Sequence, residues 1–111
     1  MQILSNQIKI AVSTSKGTCF FTPSEIVRLE ASSNYTNIYF INNTRLVSSK
    51  VLKKFAQVLE PLGFLRTHRA HLINRQHITL LRESGGIVMQ DASVAEVSRR
   101  KKAAIKRLLK S

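Results

Sequence analysis

The residues of this chain best suited to chemistry are cations. The run Phe64-Leu65-Arg66-Thr67-His68-Arg69-Ala70-His71-Leu72-Ile73-Asn74 sets two arginines and two histidines among apolar residues, and Arg99-Arg100-Lys101-Lys102 follows near the C-terminus. A guanidinium offers a planar fork of donors that matches a phosphate or the edge of a guanine. Cations planted in a half-buried strand are costly unless an anion receives them. Glu25, Glu30, Glu60, Glu83, Asp91 and Glu96 stand singly, no glycine-rich phosphate loop occurs, and neither Cys19 nor any serine lies in a nucleophile motif. No catalytic centre is therefore expected. No metal or cofactor is expected either: in one extended strand His68 and His71 point to opposite faces, no carboxylate or thiol lies nearby, and His77 is the only further imidazole.

Charge points the same way. Lys and Arg total 18 against 6 acidic residues, a formal net charge of +12, the footprint of a phosphate binder that ribosomal proteins and anionic-membrane proteins share. One cysteine forms no internal disulfide and no cysteine-based zinc site. No signal pattern opens the chain and no apolar stretch approaches about 18 residues, so a cytoplasmic protein is expected. A chain of 111 residues makes one domain, taken as 1–111, with a modest core.

The elements that must position these cations read as mainly β. Glu25 to Ala31 and Tyr35 to Ile41 are short β-branched and aromatic runs separated by Ser32-Ser33-Asn34, and Asn42-Asn43 leads from the second into Thr44 to Val47. Lys9 to Val12 and Thr18 to Phe21 suggest a hairpin across Lys16-Gly17. His77 to Glu83, Gly86 to Gln90 and Ser93 to Val97 suggest a meander after the centre. Two helices interrupt the strands. Val51, Leu52, Phe55, Val58 and Leu59 share a face, with Ser48 or Ser49 as N-cap and Pro61 near the end; the second helix spans about Ser98 to Leu109, with Ala104, Ile105, Leu108 and Leu109 as its apolar stripe.

The second helix begins with the four cations Arg99 to Lys102, where its dipole prefers anions and each exposed misplaced charge costs roughly 0.3–1 kcal/mol. Either this is a solvated run at a frayed end, or the cations and helix amides converge on phosphates or base edges; the inverted placement favours the latter. In the central run, His68 reads as a hydrogen-bonded core histidine and Arg69 as an outward-projecting fork.

Taken together, Ile26 to Phe40 (IVRLEASSNYTNIYF), the helix Leu52 to Leu59, the block Phe64 to Asn74 (FLRTHRAHLIN) and Val97-Ser98-Arg99-Arg100 occur in an order that resembles a LytTR-type DNA-binding domain, over roughly Gly17 to Leu109. The resemblance implies an elongated fold of antiparallel β-sheets built from β-meander hairpins, with one short central helix and a C-terminal helix. It also implies loops that read successive major grooves of duplex DNA, at promoter sites arranged as imperfect repeats. It assigns base contacts to Asn34, Tyr35 and Thr36, to Arg69, and to Arg100 within Arg99, Arg100, Lys101 and Lys102. Glu30, His68 and Asn74 match positions that are structural in the family.

The expected function is thus a sequence-specific duplex-DNA-binding domain of a bacterial transcription regulator in a two-component system. Its partner is double-stranded DNA; it is either a C-terminal domain joined to a receiver or sensor domain in a longer parent chain or a stand-alone regulator, with no membrane contact, and the domain is a monomer alone and paired on DNA. The alternative is a small basic RNA-binding protein of ribosomal type. A membrane contact is disfavoured because the C-terminal stripe is short and lacks Trp and Phe.

Overall fold

Strand pairing builds most of the molecule, described here from a computed structural model of residues 8–111. The first seven residues, included in the one-domain expectation, lie outside the described residues. The strands are β1 (Ile10–Thr14), β2 (Gly17–Phe21), β3 (Ile26–Ser32), β4 (Tyr35–Phe40), β5 (Arg45–Ser48), β6 (Phe64–His68), β7 (His71–Asn74), β8 (Ile78–Leu81), β9 (Ile87–Met89) and β10 (Val94–Ala95). Helix α1 (Leu52–Leu59) separates β5 from β6, and α2 (Lys102–Lys110) closes the chain.

The central sheet has the order β5-β4-β3-β7-β6, every pair antiparallel, with β1-β2 as a separate hairpin and β10-β9-β8 as a small third sheet. Neighbouring residues of a strand face opposite ways, so Leu72 and Ile73 of β7 serve two cores. On one face Leu72, Leu29, Ile38 and Phe64 pack with Leu52, Phe55, Ala56 and Leu59 of α1 and with Ile10 and Val12 of β1. On the other, Ile73 and Val27 pack with Ile87, Met89, Ala95 and Ile105 of α2. Each fully buried Ile or Leu contributes roughly 1.5–3 kcal/mol, enough in aggregate to clamp the sheet from both sides. The resulting slab measures 42 × 41 × 24 Å, extended along two axes.

Turn chemistry follows the sequence where left-handed backbone is needed. Ser33 has φ 55° between β3 and β4, and Asn43 has φ 67° between β4 and β5. The first helix departs from its expected face: Ala56 is buried, whereas Val51 and Val58 are exposed at 49% and 53%. Val51 is the extended N-cap residue rather than part of the helix, and neither Ser48 nor Ser49 caps it. Ser48 instead is buried and accepts the Lys50 amide at 3.2 Å. After α1, a 3-10 turn over Glu60–Leu62 ends at Gly63, whose φ of 100° reverses the chain into β6.

The central run is not one extended strand. It folds back at Arg69-Ala70 into the β6–β7 hairpin, because Ala31 of β3 donates its amide to the Ala70 carbonyl at 2.9 Å and the His68 ring accepts the Ala70 amide at 3.1 Å. His68 and His71 therefore face each other across the hairpin, ring centroids 5.4 Å apart, instead of pointing apart. The C-terminal helix also differs: Arg99–Lys101 form a 3-10 turn and the α-helix starts at Lys102. Of its expected stripe, Ile105 is buried and Leu109 half-buried, while Ala104 and Leu108 are exposed.

Candidate nucleic-acid interface

Antiparallel register decides which cations meet. Ser32 pairs with Tyr35, Thr36 with Ser48, Glu30 with His71, and His71 with His68. The β3–β4 turn at Ser33-Asn34, the β6–β7 turn at Arg69-Ala70 and the exit of β5 at Ser48 therefore lie at one end of the central sheet. With strands about 4.8 Å apart, the two turns are separated by roughly 10 Å.

The third segment arrives through a flaw in the sheet. The β6–β7 register shifts between Arg66 and His68, so Thr67 is freed from the ladder and pairs elsewhere. Its hydroxyl donates to the Glu96 carbonyl at 2.8 Å, and its carbonyl accepts the Ser98 amide at 2.8 Å. Segment 96–98 is thereby fastened along β6, and the turn Arg99–Lys101 emerges beside Arg69. Lys101 donates its Nζ to the Arg66 carbonyl at 2.8 Å, and Arg66 donates from Nε to the His68 carbonyl at 3.1 Å and from Nη2 to the Arg69 carbonyl at 2.7 Å. Two cations thus brace the turn that carries a third. Arg66, His68, Arg69, Ser98, Arg100 and Lys101 line an open groove of about 360 Å³.

The expected contact residues divide accordingly. Asn34, Tyr35, Arg69, Arg99 and Arg100 are exposed at this end, Tyr35 at 54%. Thr36, expected with them, is instead fully buried and donates its hydroxyl to the Lys50 carbonyl at 2.7 Å, because it points into the α1 core one step along the strand from Tyr35. Lys101 is half-buried and bonded as described. Lys102 is exposed, its stem lying so close over Gly85 that an added Cβ there would come within 2.5 Å of its Cε.

Ser49 has no signal in the sequence for a place at this edge, and Arg66 stands there among the cations of the central run without a bracing role. Arg66 reads as another arginine until the hairpin register is known, and Ser49 joins the edge only through the Thr36–Ser48 pairing.

The edge is electropositive because Arg66, Arg69, Arg99, Arg100, Lys101 and Lys102 outnumber Glu30 and Glu96, the acids nearest to it. Among the described residues the one ion pair is Arg28–Glu30, at 2.7 Å, with Arg28 also stacked 4.0 Å over the Tyr39 ring and bonded to Ser93 Oγ at 2.8 Å. Glu30, His68 and Asn74 all hold structure: Asn74, buried, donates to the carbonyls of Ile26 at 2.9 Å and Pro23 at 3.3 Å and accepts the Gln76 amide at 3.1 Å. His71 is buried beneath the hairpin; burial pushes its pKa below 6.5, with His68 and Arg28 adding to that and Glu30 and Glu96 opposing it. Its Nδ1, like Ser98 Oγ, is buried without a partner among the described residues. No group of three His, Cys, Asp or Glu able to hold a metal ion occurs among the described residues, and no described helix is long and apolar enough to cross a membrane.

The family model described as LytTr DNA-binding domain matches residues 16–110. A solved structure, the LytTr DNA-binding domain of a putative methyl-accepting/DNA response regulator from Bacillus cereus, superposes with a TM-score of 0.75 at 21% identity, covering 93% of this chain and 96% of that one. The fold is therefore shared. No curated protein matches the chain.

Proposed function

The chain belongs to the LytTr DNA-binding domain family, and from that premise we propose that it reads duplex DNA with the turn-bearing end of its central sheet. As a DNA-binding domain it is not favoured as a ribosomal-type RNA binder. The observation that carries the reading is the convergence of Asn34-Tyr35, Arg69 and Arg99-Arg100 on one electropositive edge from three distant parts of the chain. Arg69 and Arg100 are exposed forks suited to guanine edges in a major groove, while Lys102 and the amides of the turns supply phosphate contacts. Lys101 acts mainly by holding the Arg69 turn.

One slab of this size reads a limited stretch, so two copies on neighbouring promoter repeats, each monomeric when free, give genomic specificity. Attachment to a receiver or sensor domain in a bacterial cytoplasmic regulator completes the reading, with no catalytic role for the domain itself. Selection of bound duplexes from a random pool, followed by titration of the winner across salt, tests it: a recurrent sequence and a steep salt slope, about −0.9 per phosphate neutralised, are expected. Absence of any enriched sequence, or tighter binding to structured RNA, would overturn it.

A further inference from the structure

The β1–β2 turn has no part in the interface described so far, yet it reaches the same edge. Ser13, Thr14 and Ser15 border a recess of about 310 Å³ with Tyr35 and Ser49, every lining residue bearing a hydroxyl, next to the exit of β5. The turn is preformed: Thr14 donates its hydroxyl to the Gly17 carbonyl at 2.8 Å and accepts the Lys16 amide at 3.2 Å, and Gly17 takes φ 133°. Its exposed residues are short hydroxyls and one lysine, and Lys50 stands on the neighbouring strand exit. Residues 9–21 and 31–59 contain no Asp or Glu at all, so nothing acidic in either segment neutralises this corner. Lysine and serine or threonine hydroxyls are the groups that hold nucleic-acid backbone without reading bases.

We propose that the β1–β2 turn, together with Tyr35 and Ser49, is a backbone-phosphate subsite that grips duplex flanking the stretch read by Asn34, Arg69 and Arg100. This rests on the edge being the DNA interface. Across that edge the order runs from the β1–β2 turn and Ser49, through Asn34 and Arg69, to Arg100. The subsite therefore touches one flank of the site only, and the domain grips its duplex asymmetrically.

The test uses the selected duplex with each flank shortened separately by about half a helical turn, roughly 5 bp. Wild-type protein is expected to lose affinity severalfold on trimming the flank beyond the Asn34 side and much less on trimming the other. The double variant Ser15→Asp/Lys16→Asp, which keeps Thr14 and Gly17, is expected to bind the full duplex more weakly. Its salt slope should be shallower by about 1, base preference should be unchanged, and sensitivity to trimming should be lost. Ser49→Asp, on a different element, should act in the same direction. Equal sensitivity of the wild type to both trims, or a double variant with unaltered slope and affinity, would overturn the subsite while leaving the base-reading edge intact. A wild-type domain that enriches no duplex would instead overturn the interface and the subsite together.

Discussion

The Thr67 carbonyl accepts the Ser98 amide at 2.8 Å, and this bond brings the Arg99-Arg100 segment against the hairpin that carries Arg69. With the Thr67 hydroxyl on the Glu96 carbonyl, one buried residue holds both ends of segment 96–98. Thr67→Val removes the hydroxyl but keeps the shape, leaving the Glu96 carbonyl without that donor. Expected is a loss of about 1–3 kcal/mol of stability in denaturant unfolding, and a larger loss of affinity for the selected duplex than for a scrambled one. Equal weakening of both would mean that the bond does not position the arginines.

Arg69 and Arg100 differ in role from the outlying lysines. Arg69→Ala or Arg100→Ala should remove roughly 1–3 kcal/mol of discrimination between selected and scrambled duplexes with little change in nonspecific binding. Lys110→Ala should weaken both duplexes equally and lower the salt slope. Lys106→Ala should do likewise, although this lysine is half-buried and its Nζ donates to the Glu83 carbonyl at 3.3 Å. Competition titrations separate the cases, and an Arg100 variant that behaves like the Lys110 variant would reduce Arg100 to a phosphate contact.

Asn74→Ala should destabilise the fold by roughly 2–3 kcal/mol, because it strips partners from the buried carbonyl of Ile26 and from the Gln76 amide at once. Denaturant unfolding reads the loss. At temperatures where the variant remains folded, its base preference should match the wild type, since Asn74 touches no residue of the edge directly.

Acid should weaken the fold through His71. Its folded pKa lies below the unfolded value of 6.5 because burial disfavours the charged ring, so the unfolded chain binds the extra proton first. Stability from this group is full above 6.5, falls as pH drops below it, and levels off below the folded pKa. Unfolding midpoints measured from pH 7.5 down to 5 should decline, and His71→Gln should flatten part of that decline. A wild-type midpoint that rises on acidification would contradict the assignment.

The sequence by itself determined the local grammar. Alternating β-branched runs, Ser33 and Asn43 at left-handed turns, the short central helix and the excess of cations follow from side-chain shape and charge, which act over a few residues. The family resemblance carried by the Arg-x-His-Arg block and the Glu30 to Tyr35 segment added the DNA-binding reading, which the family match bears out. Tertiary structure decided what depends on partners far along the chain. The run from Phe64 to Asn74 folds back because β3 offers Ala31 to Ala70. Thr36 is withdrawn from the edge because strand parity turns it toward α1. The cations after Ser98 lie beside Arg69 because a register shift frees Thr67 to hold the Glu96 carbonyl and the Ser98 amide. The first and last of these outcomes are set by hydrogen bonds between residues 39 and 31 positions apart, and no window of local sequence encodes which strand will supply the partner.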